Sequence, residues 1–194
     1  MAGNHNAGRK AIFLDRDGTV NRNTHYLINF EDFELLPGVE TALRIFQDLD
    51  YRLFVVSNQS GVARGYFSYA AVEALHVKIG AHLAGLGIRV EAFAFCPHHP
   101  EGTIAAYTQE CECRKPLPGM LLDLAGKHGL DLGKCIMVGD HESDALAGLN
   151  AGASGVWIRP ETAVSPPSGQ VDNPPKIKEF ASLLDFAESL REFA

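Results

Sequence analysis

Apolar residues fall along the chain in two alternating patterns: short unbroken runs, and positions spaced three and four apart. Ala11-Ile12-Phe13-Leu14 is an unbroken run of the length expected for a strand covered on both faces. After Pro37-Gly38, residues Val39, Leu43, Ile45, Phe46 and Leu49 share one face of a predicted helix. Leu53-Phe54-Val55-Val56 is the next strand, which completes a βαβ unit. The cycle continues with a helix over about 68–85, a strand from Val90 to Phe95, and a Pro-led helix from Pro118 to about His128. Cys135-Ile136-Met137-Val138 is a fourth strand, Ala145 to Ala151 a short helix, and Gly155-Val156-Trp157-Ile158 a fifth strand. Ile177, Phe180, Leu183, Leu184, Ala187 and Leu190 then share the apolar face of a closing helix. Two stretches lack either pattern: residues 1–9 are expected to be a flexible tail, and Pro160 to Pro175 a surface loop.

This alternation predicts an α/β fold, a doubly wound parallel sheet, with a single domain over residues 10–194. Ligands of such sheets bind beyond the carboxyl ends of the strands. Three polar clusters fall there: Asp15-Arg16-Asp17-Gly18-Thr19, Ser57-Asn58-Gln59-Ser60-Gly61 and Gly139-Asp140. Convergence of separate clusters on one edge makes a site.

Composition changes this picture in a few respects. The chain has 194 residues, 46% of them hydrophobic, enough for one substantial core. A formal charge of -7 without a basic stripe argues against nucleic acid or an anionic membrane surface as partner, so an anionic ligand must be held by local charge. The opening MAGNHNAGRK lacks the apolar core of a signal peptide, and no later run reaches membrane-spanning length. A cytoplasmic location is therefore expected, where the four cysteines read as thiols, metal ligands or core residues rather than disulfides.

Two carboxylates at i and i+2 just past a strand can face one cavity, and Asp140 could close an oxygen cage around a divalent cation such as magnesium. An isolated DxD more often caps a turn. Here Ser57 and Asn58 add donors and Lys115 a cation, the set that phosphoryl transfer requires. An aspartate can accept a phosphoryl group as an acyl phosphate, and a second can serve as acid and then base.

Cys96 and His98 are two apart, as are Cys111 and Cys113, so in extended chain both members of each pair point the same way. The two pairs suit a tetrahedral, structural zinc ion bracing the loop 96–113, with His99 as an alternative ligand to His98. Cys135, in an apolar strand, reads as a core thiol. Gly61 to Gly65 with Arg64 is a weak hint of phosphate binding. Most of His5, His25, His76, His82 and His128 are expected at the surface, with His25 in the flap the exception, and Trp157 in packing. Asp144 reads equally as support for a metal site or as a carboxylate in the first turn of a helix.

Asp15-Arg16-Asp17-Gly18-Thr19, the Ser57-Asn58 pair, Lys115 before Pro116 and Gly139-Asp140-His141-Glu142-Ser143-Asp144 resemble, in order, the four motifs of the haloacid dehalogenase phosphatase superfamily. Within it, the stretches 11–26, 57–65, 96–100 and 111–116 resemble the heptose bisphosphate phosphatases, a likeness that covers roughly residues 10–160. The resemblance implies a magnesium-dependent phosphatase of a small phosphorylated sugar, working in nucleotide-activated heptose biosynthesis, with a structural zinc. It implies Asp15 as nucleophile and Asp17 as general acid/base, with Asp15, Asp17 and Asp140 holding magnesium, Asp17 partly through its backbone carbonyl. Ser57 and Lys115 would steady the phosphoryl group, Asn58, Gln59 and Ser60 would line the pocket, and Arg114 would recognise the rest of the substrate. Asn23, Thr24, His25 and Tyr26 would form a flap, and Cys96, His98, Cys111 and Cys113 would bind zinc. The chain departs from many members at His141, where they carry lysine.

The loop between the third strand and Lys115, where related phosphatases often carry a large cap domain, has too few residues for one, and by analogy the protein is expected to be a monomer. Two rivals remain. A histidinol-phosphatase shares the aspartates and a cysteine-rich zinc loop, but the run from Gln59 to Gly65 favours the heptose substrate. A catalytically silent phospholigand-binding module is countered by the intact Asp15 and Asp17.

Overall fold

Strands β1 (Ala11–Leu14), β2 (Arg52–Asn58), β3 (Val90–Cys96), β4 (Ile136–Gly139), β5 (Ser154–Ile158) and β6 (Lys178–Phe180) form one parallel sheet in the order β3-β2-β1-β4-β5-β6. Helices α1 (Val39–Asp48), α2 (Tyr69–Gly85), α3 (Gly119–His128), α4 (Glu142–Asn150) and α5 (Leu183–Arg191) connect and cover it. This computed structural model describes residues 8–159 and 177–192, so residues 1–7 of the expected tail and the expected loop over 160–175 lie outside the described residues. The last part of that tail is not free: Arg9 bridges to Leu130, and its carbonyl accepts from Asp131 N.

Side chains alternate across a strand, and the sheet sorts its apolar residues accordingly. Ile12 and Leu14 of β1, Leu53 of β2 and Val138 of β4 join α1, α2 and α5 in one core. Phe13, Phe54, Val56 and Met137 point the other way, into a second core with Met120, Leu121 and Leu124 of α3. Burial on both faces explains why these strands read as unbroken apolar runs.

The chain winds outward from β1 in both directions, through β2 and β3 on one side and β4 to β6 on the other. Asp15 leaves β1 at this switch, with its backbone N–H donating to Val138 O at 2.8 Å. The crevice beyond the carboxyl ends therefore opens at the first motif.

Three expectations need correction. Ile177 and Phe180 do not lie on the closing helix: Lys178–Phe180 pairs with β5, and Ser182 caps α5 by accepting from Asp185 N at 3.1 Å. Apolar residues three apart in so short a stretch fit strand and helix alike, and edge pairing decides. Helix α4 starts at Glu142, three residues before Ala145, because its first turn is polar and held by Asp144 accepting from His141 N at 3.0 Å. His76 is buried, not at the surface: with Val72, Leu75, Ile79 and Leu83 it forms the inward face of α2.

Candidate active site

A buried cation organises the cleft. Lys115 Nζ donates to Asp15 Oδ1 at 2.5 Å, to Asp144 Oδ1 at 2.7 Å and to Val56 O at 2.8 Å, which uses all three ammonium donors. Asn58 clamps the Lys115 backbone from both sides, donating from Nδ2 to its carbonyl and accepting its N–H at Oδ1, each at 3.1 Å. The pocket-lining amide of Asn58 is thus engaged in holding Lys115. Asp144 accepts Lys115 with one oxygen and the His141 N–H with the other, so it starts a helix and also belongs to the cleft.

Asp15, Asp140 and Asp144 present carboxylate oxygens all within 4.8 Å of one another. Burial pushes the Asp15 carboxyl up to about 8, with the Lys115 ammonium opposing and the Asp144 and Asp140 charges adding to the rise. Asp140 is raised as well, by burial and by Asp144, against the pull of His141. For Lys115 burial works against the charge, but Asp15 and Asp144 outweigh it and hold the ammonium above its ordinary value. One ammonium cannot balance three carboxylates.

That imbalance suits a hard divalent cation. Asp140 Oδ1 is buried without a hydrogen-bond partner, as an oxygen reserved for a metal would be. Gly18, at φ +88°, lies so close that a Cβ there would collide with Asp140 Oδ2, so only glycine leaves the acidic recess open. The donor set fits magnesium. The Asp17 carboxylate lies outside this side-chain set and is held elsewhere.

A cavity of 460 Å³ joins these groups to the rest of the expected site: Asp15, Asp17, Asn23, His25, Tyr26, Ser57, Asn58, Gln59, Ser60, Arg114, Lys115, His141, Ser143 and Asp144 line it. Thr24 is exposed and does not line it. Gln59 Nε2 bridges Ser57 Oγ at 2.8 Å and Asp17 Oδ2 at 2.9 Å. Arg114 also lines a second cavity of 300 Å³ with His99, and its Nη1 donates to His98 O at 3.3 Å. In the flap, His25 and Tyr26 adopt φ of +50° and +68°, and the Tyr26 ring packs edge-on against Tyr66 at 4.8 Å. Left-handed backbone at two consecutive non-glycine residues is strained and marks a shape imposed by the fold.

Sequence reasoning missed several supports. Arg16 is wholly buried and paired with Asp17, Asn21 Nδ2 donates to Asp17 Oδ1 at 3.1 Å, and Trp157 Nε1 donates to Asp140 O at 3.0 Å. For Trp157 no sequence signal exists, since its partner is 17 residues away.

In the loop after β3, four ligand atoms close on one point. The Cys96, Cys111 and Cys113 sulfurs lie 3.0, 3.3 and 3.5 Å apart, and His98 Nδ1 is 3.3 Å from Cys113 Sγ and 3.7 Å from Cys96 Sγ. Ligands about 2.3 Å from a tetrahedral zinc would stand roughly 3.8 Å apart, so the set needs little expansion to take the ion. All three are free thiols. His99 is excluded from the cluster: its Nδ1 accepts from Glu101 N and its Nε2 lies 3.2 Å from Arg64. Cys135 is buried in the second core, as expected.

A HAD-hydrolase-like family model matches residues 112–169. A D-glycero-beta-D-manno-heptose-1,7-bisphosphate 7-phosphatase from Rhodopseudomonas palustris is 46% identical over 147 residues, which is 76% of this chain and 82% of the relative. The Escherichia coli K12 protein of that name is 39% identical over 157 residues, 80% and 82% of the two chains. The crystal structure of a D,D-heptose 1,7-bisphosphate phosphatase from B. bronchiseptica, in complex with magnesium and phosphate, superposes with a TM-score of 0.78 at 32% identity over 96% of this chain and 99% of the other. The chain belongs to the heptose-1,7-bisphosphate 7-phosphatase family of the haloacid dehalogenase-like hydrolases.

Proposed function

We propose that this protein is a phosphoric monoester hydrolase that removes the 7-phosphate of D-glycero-β-D-manno-heptose 1,7-bisphosphate, in the biosynthesis of nucleotide-activated heptose for glycans such as lipopolysaccharide. The observation that carries it is the 46% identity to a phosphatase of that name over 147 residues, 76% of this chain. The β-anomer is taken from the names of the relatives.

In this reading magnesium, held by Asp15, Asp140 and the backbone carbonyl of Asp17, neutralises charge on the transferring phosphoryl oxygens. Asp15 attacks phosphorus, forming a bond from its carboxylate oxygen as the bond to the sugar oxygen breaks. Lys115, fixed by Asn58 and Asp144, holds the attacking carboxylate in place and offers positive charge beside the phosphoryl group. Asp17 gives its proton to the departing sugar oxygen, then takes one from the water that releases phosphate from Asp15. Ser57 and Ser60 contribute donors, and Arg114 meets the non-reacting 1-phosphate at the far side of the cavity. Asn23, His25 and Tyr26 border the sugar. His141 reaches the rim as a weaker phosphate contact than lysine.

Zinc on Cys96, His98, Cys111 and Cys113 is proposed to brace residues 96–113, so that Arg114 follows directly from a fixed ligand. A substrate with two phosphates does not cross a bilayer unaided, and the enzyme is taken to share the cytoplasm with it, as a monomer. Among the described residues no helix is long and apolar enough to cross a membrane.

Phosphate release from heptose 1,7-bisphosphate and from histidinol phosphate, with and without magnesium, tests the reading. Magnesium-dependent release from the bisphosphate at C7 is expected, with little from histidinol phosphate. Preference for histidinol phosphate would reverse the assignment, and release from neither would favour a silent binding module.

A further inference from the structure

Arg16 stands between the two aspartates of the first motif, yet none of its side chain reaches solvent. A buried guanidinium needs acceptors for a rigid fork of donors. Its Nε and Nη2 donate to Asp17 Oδ1 and Oδ2 at 3.1 and 2.7 Å, and Nη2 also reaches Leu27 O at 3.5 Å. The remaining nitrogen, Nη1, lies 3.0 Å from Nε2 of His76. Arginine can only donate, so His76 Nε2 accepts and the ring proton sits on Nδ1.

His76 comes from α2, sixty residues along the chain. Its ring is stacked on Phe93 at 5.1 Å and set edge-on to Phe95 at 5.5 Å, so its direction is fixed by strand β3. Burial, with the Arg16 charge adding and Asp17 opposing, pushes the imidazole down to about 3. The ring is a neutral acceptor throughout the physiological range.

We propose that His76 is a positioning residue for the reaction: by accepting from Arg16 it fixes the fork that sets the orientation of the Asp17 carboxyl. This rests on the reading of Asp17 as general acid. Without the His76 acceptor, Nη1 is left buried and unsatisfied, and the fork is free to turn towards another acceptor or water. Asn21 and Gln59 still donate to Asp17, so its angle loosens while the carboxyl stays in the cleft. A proton donor displaced by about 1 Å can cost as much as about a hundredfold in rate.

Acid assistance matters in proportion to the basicity of the leaving oxygen. As the bond from Asp15 to phosphorus forms and the ester bond breaks, a sugar oxygen departs with the electron pair and needs the Asp17 proton. The stable p-nitrophenolate anion departs without it. A defect confined to Asp17 therefore discriminates between the two esters, whereas a general loosening of the fold does not.

The test compares His76→Leu, His76→Gln and His76→Asn in the full chain, loaded with magnesium and zinc. The readout is kcat/KM, which covers the steps up to departure of the leaving group, for heptose 1,7-bisphosphate and p-nitrophenyl phosphate. Leucine keeps the packing on Phe93 and Phe95 but removes the acceptor, and should lose about tenfold or more on the sugar ester. The same variant should lose less than about threefold on the aryl ester. Glutamine, long enough to accept from Arg16, should recover most of the loss, and asparagine should not. Equal losses on both esters, an unimpaired His76→Leu protein, or no recovery with glutamine would overturn the proposal. Should His76→Leu fail to fold, the glutamine and asparagine variants decide by the same criteria. Absence of hydrolysis by the unmodified protein would bring down the phosphatase reading and this inference together, whereas equal losses in an active enzyme bring down this inference alone.

Discussion

Replacing Lys115 by methionine should affect stability and turnover separately, and magnesium should distinguish the two effects. The side chain is 2% exposed, and among the described residues its ammonium is the only buried positive group shared by Asp15 and Asp144. Methionine fills nearly the same volume, so loss of packing is a minor part of the change. The main cost is two buried carboxylates left without their cation, for which breaking a buried pair costs about 3–5 kcal/mol. In a domain of this size each kcal/mol moves the melting temperature by about 2–4 °C, so the metal-free variant should melt roughly 6–20 °C below the unmodified protein. Magnesium replaces part of the missing charge, so the gap should narrow when it is added at saturation. Turnover should not recover, because the group that holds Asp15 beside the phosphorus is gone; a loss of about a hundredfold or more in kcat is expected. Thermal denaturation in EDTA and in magnesium, followed by phosphate release from each preparation, measures both quantities. A variant as stable as the parent without metal, or one that regains normal turnover with it, would refute the charge balance drawn for the cleft.

Zinc should copurify at one ion per chain, and stripping it should expose residues 96–113 to hydrogen exchange before the residues around Asp15; a folded, active protein without zinc would contradict the closed Cys₃His set. Without metal, Asp15 has its carboxyl raised from 3.8 to about 8 in the folded protein, which therefore holds a proton there that the unfolded chain releases. This contribution is full below about pH 4 and is lost as pH rises to about 8, so metal-free stability should fall across that window. Magnesium must displace the same proton, and its apparent affinity should rise with pH by up to about tenfold per unit; calorimetry in buffers of different ionisation heat would detect a pH-independent affinity with no proton release.

Much of the fold can be read from the sequence because the central strands are covered on both faces and carry unbroken apolar runs, as in Ala11–Leu14. Helix α1 likewise announces itself through Val39, Leu43 and Phe46. Strand β6 does not, since three residues at a sheet edge carry no period of their own. The cleft carboxylates are legible because each sits in a motif at a strand end, and the Cys/His cluster because its spacing repeats. What escapes is the set of groups that hold those residues in place. Arg16 in a polar loop looks exposed until α2 brings His76 over it, although helical spacing from Val72 does put His76 on the inward face. Trp157 and Asn58 likewise act through backbone atoms of Asp140 and Lys115, and a backbone acceptor leaves no trace in the residue types.

The central claim is that the phosphoryl group passes through Asp15. Acid quenching of the protein during turnover of heptose 1,7-bisphosphate with magnesium, followed by peptide mass spectrometry, tests it directly. One phosphoryl group is expected on Asp15, accumulating further in Asp17→Asn because the attacking water loses its base, with neither phosphoenzyme nor turnover in Asp15→Asn. Undiminished hydrolysis by Asp15→Asn, or a phosphoryl group trapped on any other residue, would contradict it.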